Sequence, residues 1–166
     1  MDILRTASLI AAVVCVGAMT GVMGLYANTL MPGLGRTDDR TFVGAFQAID
    51  TAIINPLFLG TFFGGLGFTV LSAVLHLGGD FNAVLPWLVA AAVAYFAVIV
   101  LTVAINVPLN DAIKAAGSPD EIDVGQARAD FDEARWIRSN LIRAGLTLAT
   151  FLLLTWALVE HARTIV

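Results

Sequence analysis

This sequence predicts an all-α integral membrane protein, a four-helix bundle with short extramembrane helices in its first and third links. Three observations predict it. The chain is 58% hydrophobic and 13% charged, with a mean hydropathy of +0.86, which is too apolar for a soluble domain. Four apolar stretches, near residues 7–27, 55–77, 84–105 and 141–160, each approach the ~20 residues that an α-helix needs to cross a bilayer. The first and third links carry turn formers, charges and helix caps, whereas the second, near 78–83, is short enough to join antiparallel neighbours. The 166 residues read as one domain.

The first stretch follows Arg5 and contains no charge. A secretory signal has an apolar core of roughly 7–15 residues, and this run is longer, so it reads as a retained span. Gly17 and Gly21 form a small-xxx-small pair, as do Gly60 and Gly64 in the second span. Such pairs let helices approach closely within one chain or between copies, which leaves a homo-oligomer open. Met31-Pro32-Gly33 is expected to end the first helix, because Pro32 biases Met31 away from helical geometry. Asp38 or Asp39 then caps a helix that sets Gln47 beside Asp50.

Pro56 removes a backbone donor and collides with the Ala52 carbonyl, so the second span kinks or restarts there. Pro86 lies where a helix start tolerates it. Pro108 is expected to stop the third span and begin a short helix that Gly117 ends. Ser118-Pro119-Asp120-Glu121 carries a capping box, predicted to open an acidic helix running into the fourth span with at most one irregularity, near Gly125. From Phe131 onward, helix and span are expected to be continuous.

Charge narrows the partners. The net charge is −4, with 13 acids against 9 bases, and no basic patch suits nucleic acid. The bilayer is the expected partner, with a hydrophobic small molecule. Cys15, the single cysteine, lies in an apolar run and reads as a small buried hydrophobe. Seven of the nine bases (Arg36, Arg40, Lys114, Arg128, Arg135, Arg138 and Arg143) belong to the side of the first and third links; Arg5 and Arg163 lie opposite. The positive-inside rule puts those links in the cytoplasm and both termini outside a plasma (inner) membrane.

Polar side chains share that asymmetry. Asn28, Gln47, Asp50, Asn55, Asn106, Asn110, Asn140 and Arg143 fall at the link end; His76, Asp80, Asn82, Glu160, His161 and Arg163 fall at the other. Trp136, Asn140 and Arg143, spaced i, i+4, i+7, share one helix face. Polar groups at the edge of a span require partners or water, so one polar mouth is expected there.

These pieces resemble the anthrone oxygenase-like family of small four-span membrane proteins. The resemblance rests on MPGL (Met31–Leu34), FQAI from Phe46, INP from Ile54, NVPLN from Asn106, and Trp136 with Asn140 and Arg143. Asp50 stands where many members carry Asn. The resemblance implies the four-span fold and, for some members, oxidation of an anthrone to an anthraquinone. Dioxygen is the co-substrate, and no metal or flavin is demonstrated.

That chemistry would take Arg143 and Asn140 as oxyanion donors and Asp50 as the base. Trp136, Asn106, Asn110, Asn55 and Gln47 would contact the substrate, Trp136 as a stacking wall. Four of the site residues also have a structural reading. Trp136 suits an interfacial anchor, Arg143 a snorkelling side chain or a bridge to Asp50, and Asn106 and Asn110 caps of a broken helix. His76 and His161 share the far end, but no Cys/His/Glu cluster accompanies them, so no metal site is predicted. The reading from another function class is a non-enzymatic membrane module that binds a lipophile or a partner protein.

Overall fold

The computed structural model describes residues 1–78 and 83–165; the expected turn with Asp80 and Asn82 lies outside the described residues. Four helical stretches are long and apolar enough to cross a membrane. The first is α1 (Asp2–Leu34). After the short helix α2 (Asp39–Ile53) come α3 (Pro56–Leu75) and α4 (Leu85–Ala115). The fourth stretch, Val124–Thr164, divides into α5 (Val124–Phe131) and α6 (Glu133–Ile165). The protein is an all-helical membrane bundle.

Helices α1 and α4 each pack against both α3 and α6, which closes a four-membered ring. Its core is Leu9, Val16, Met19, Leu88, Tyr95 and Leu154 with their neighbours, all essentially buried. One close approach requires glycine. A Cβ on Gly65 would lie 2.7 Å from the Tyr95 ring, and the Tyr95 hydroxyl donates to the Phe62 carbonyl at 3.0 Å. The two glycine pairs divide their work. Cβ atoms on Gly17 and Gly64 would press on Phe151 and Cys15, whereas Gly21 and Gly60 face open space.

The prolines behave differently from expectation. Neither Pro32 nor Pro108 ends its helix. A five-residue π turn, Tyr26–Leu30 in α1 and Thr102–Asn106 in α4, precedes each, and the helix then continues. A proline ring collides with the carbonyl four residues back and offers no N–H. Widening the preceding turn moves that carbonyl aside and shifts the bonding. Pro56 does restart the chain, because Asn55 is extended and accepts from Phe58 N–H at 3.0 Å as the N-cap of α3.

Helices α2 and α5 and the last turns of α4 form a cap over one end of the bundle. Its separate core packs Phe42, Phe46, Ile113, Phe131 and Trp136. Asp38 caps α2, accepting from Thr41 N–H at 3.0 Å, and that bond holds its carboxyl below the usual carboxylate range. Arg128 binds the layer together, pairing with Asp39 and Glu133, each at 3.0 Å.

Two expectations fail in this cap. The helix does not start at Ser118, whose hydroxyl instead accepts from Asp120 N–H within a turn while Asp120 pairs with Arg40; Asp123 is the N-cap. The irregularity falls at Asp132 rather than Gly125, so the helix is broken there instead of running on from Phe131. Asp132 adopts φ 49°, ending α5, and its carboxylate accepts from Arg135 N–H at 3.1 Å to begin α6. Aspartate tolerates the left-handed region and is a strong N-cap, so one residue serves both helix ends.

Candidate functional site

Beneath the cap, between the four long helices, lies a cavity of about 160 Å³. Both π turns supply its wall: Tyr26 from the first, and Thr102, Val103 and Asn106 from the second. Phe46, Phe58 and Phe62 line the apolar part. The cavity thus sits where two transmembrane helices are locally widened, a position that π turns often occupy in functional sites.

Six of the eight sequence-derived candidates line it: Asp50, Asn106, Asn110, Trp136, Asn140 and Arg143. Gln47 and Asn55 do not. The Gln47 amide donates to the carbonyls of Ile113 at 2.7 Å and Gly117 at 3.0 Å, fastening α2 to the end of α4. Asn55 is exposed and caps α3. A side-chain amide near a membrane boundary can serve as a strut as readily as a ligand contact, and both of these are struts.

Two sets of hydrogen bonds meet at the cavity. In the first, Lys114 Nζ lies 2.8 Å from Asp50 Oδ2, Asn110 Nδ2 donates to Asp50 Oδ1 at 2.6 Å, and Trp136 Nε1 donates to Asn110 Oδ1 at 2.7 Å. Trp136 is 3% exposed, so it is a wall of the cavity and not an interfacial anchor. In the second, Ser139 donates to Asn106 Oδ1 at 2.6 Å, and Asn140 Nδ2 donates to the Met23 carbonyl at 3.2 Å. Asn106 makes no side-chain cap.

Arg143 is the anomaly. It is 5% exposed, and its guanidinium donates to Asn140 Oδ1 at 2.9 Å and to Thr102 Oγ1 at 3.2 Å. Both acceptors are neutral. No carboxylate pairs with it among the described residues; Asp50, the partner that sequence suggested, is engaged by Lys114. The Nε–H has no hydrogen-bond partner among the described residues. The cation also sits 5.6 Å from the centre of the Trp136 ring. A buried, unneutralised charge costs several kcal/mol, so this arrangement is expensive unless an anion or developing oxyanion completes it.

Tyr26 and Thr102 are functional candidates that sequence reasoning passed over. Tyr26 lines the cavity with its ring 5.7 Å from that of Trp136, and its hydroxyl has no hydrogen-bond partner among the described residues. Its one sequence signal is a phenol in the last turns of an apolar span. At the opposite end, His76 Nε2 and His161 Nδ1 lie 3.1 Å apart, His161 Nε2 meets Thr6 Oγ1 at 2.8 Å, and His76 Nδ1 donates to the Ser72 carbonyl at 2.7 Å. No group of three or more His, Cys, Asp or Glu is placed to hold a metal among the described residues.

Fold and site together define a helical membrane protein with a cavity between its helices, aromatic on one side and cationic on the other. The chain belongs to the anthrone oxygenase family, whose model, described as Anthrone oxygenase, matches residues 56–153. That match includes Asn106, Asn110, Trp136, Asn140 and Arg143 and leaves Tyr26 and Asp50 outside. No curated protein and no solved structure matches the chain.

Proposed function

We propose that this protein is an oxygenase of the plasma membrane that oxidises an anthrone, or a similar hydrophobic aromatic molecule, with dioxygen as co-substrate. The observation that carries the proposal is Arg143, a buried cation with an orphaned Nε–H on the wall of an aromatic cavity. Such a donor stabilises an oxyanion, and an oxyanion is what an anthrone becomes when its CH₂ loses a proton and the charge moves to the ring carbonyl.

The chemistry balances without a further reductant. Asp50, the carboxylate on the cavity wall, takes the first proton, while Arg143, aligned by Asn140 and Thr102, binds the resulting enolate oxygen. The electron-rich carbon then reduces dioxygen, a C–O bond forms, and protonation gives a hydroperoxide. Loss of the second C–H proton, with cleavage of the O–O bond, leaves the quinone carbonyl and one molecule of water. Asn110 orients Asp50 and Trp136 together, and Trp136 stacks on the ring system.

The cap, with most of the basic residues, faces the cytoplasm in this reading, and both termini lie outside. The bilayer and a hydrophobic small molecule are the partners; nucleic acid is not, and assembly of copies could use the open faces at Gly21 and Gly60.

One observation favours a second reading. Both oxygens of Asp50 are already engaged, by Asn110 and Lys114, which suits a non-enzymatic module that binds a lipophilic anion at Arg143. One experiment separates the two. Purified protein supplied with a dihydroxyanthrone should consume oxygen and release the anthraquinone, and Arg143→Met should not. Binding of the anthrone without oxygen uptake would favour the module instead.

A further inference from the structure

The cavity wall is not sealed. Leu59 and Phe63 on α3, and Val103 and Val107 on α4, line the cavity yet remain 36%, 56%, 60% and 40% exposed. Helices α3 and α4 are neighbours in the ring, so these four side chains are the two lips of one opening. Val103 and Val107 are four residues apart, giving a lip of about 6 Å along the helix axis. No lip carries a charge or a hydrogen-bonding side chain. Towards the cap the wall carries Phe46, packed with Phe42 and Phe131 and at most 2% exposed like them; Ile54, in the link between α2 and α3, is a further exposed apolar residue of the lining, at 55%.

An apolar slot on the outer face of membrane-spanning helices opens into hydrocarbon, where water is excluded. Behind it wait the guanidinium of Arg143 and the hydroxyl of Tyr26, which no described residue engages. We propose that the cavity is loaded sideways from the bilayer, through the α3–α4 slot, by a membrane-dissolved molecule whose acidic or oxyanion-forming end enters first towards Arg143. This rests on reading the cavity as a substrate site. It adds the route and the class: a lipophile partitioned into the membrane, rather than a solute captured from water.

The test uses the full chain in lipid nanodiscs with Trp87→Phe and Trp156→Phe. Those two tryptophans meet edge to face away from the cavity, so Trp136 becomes the sole tryptophan emitter. Lipids brominated near the head of the acyl chain should quench Trp136, and aqueous iodide should not. Val103→Phe with Val107→Phe, which plugs the slot, should cut the bromolipid quenching by more than half. Val93→Phe, on the same helix and 66% exposed but away from the cavity, should leave it unchanged.

Should the plugged variant misfold, Phe63→Ala serves in its place and should raise the quenching. A dihydroxyanthrone dissolved in the nanodisc should quench Trp136 more slowly in the plugged chain than in the open one. Quenching by iodide instead of bromolipid, or quenching that neither lip variant alters, overturns the proposal. Bromolipid quenching depends on no reaction: if it behaves as expected but no anthrone is oxidised, the catalytic reading fails and the slot stands.

Discussion

The two ends of this bundle bury polar side chains to a similar degree, yet they do so in opposite ways. At the far end His76 and His161 are at most 1% exposed, and each ring nitrogen has a partner: Ser72 carbonyl, the other histidine, or Thr6. Beside the cap, Arg143 is also buried, at 5% exposed, but among the described residues it has only neutral acceptors and one donor with no partner, and a cavity lies next to it. Burial of polar groups is therefore no guide to function by itself. What distinguishes the cap end is incomplete hydrogen bonding beside empty volume, and such a site is finished by something that is not the protein.

The largest expected effect breaks the contrast from the functional side. Replacing Arg143 with Met should lower anthrone turnover by about 10²–10³-fold, the usual cost of deleting one oxyanion donor. Initial rates of oxygen uptake in detergent or nanodiscs give that number. The converse substitution, His76→Leu, strands His161 Nδ1 in the core. It should destabilise the fold by about 1–3 kcal/mol, seen as a lower midpoint of thermal unfolding, while turnover per folded molecule is unchanged. Lost turnover at intact stability there would erase the distinction between the ends.

Tyr26→Phe sharpens the comparison, because it removes a hydroxyl that no described residue uses. Turnover should fall about tenfold, one hydrogen bond's worth, with no loss of stability. The smallest effect should come from Asn55→Ala. It deletes the α3 cap, costs about 1 kcal/mol in unfolding measurements and leaves the kinetics alone, since Asn55 is outside the cavity.

Much of this is legible in the residues alone. Spans betray themselves by uninterrupted apolar runs, and Trp136, Asn140 and Arg143 by their spacing on one helix face. Other features depend on neighbours that local rules do not see. Pro32 and Pro108 read as stops because a proline ring clashes with an ordinary α-helical turn; the π turns upstream remove the clash, and nothing in YANTL or TVAIN announces them. Lys114 as the partner of Asp50, and His161 as that of His76, are contacts across 64 and 85 residues that only the packed ring creates. Gln47 and Asn55 were chemically suited to bind a ligand, but backbone carbonyls and a helix start claimed them first. Asp132 is the reverse case, one exposed carboxylate in a charged run that turns out to divide two helices.

The central claim is that Arg143 carries a charge that the protein itself does not compensate. The most direct measurement is the thermal unfolding of Arg143→Met beside the parent chain in the same lipid, without ligand. An uncompensated buried cation makes no net contribution to folding, so the account predicts a Tm equal to or above the parent's, alongside the collapse in turnover. A Tm well below the parent's, with anthrone oxidation persisting in the folded fraction, would make Arg143 a structural residue and contradict it.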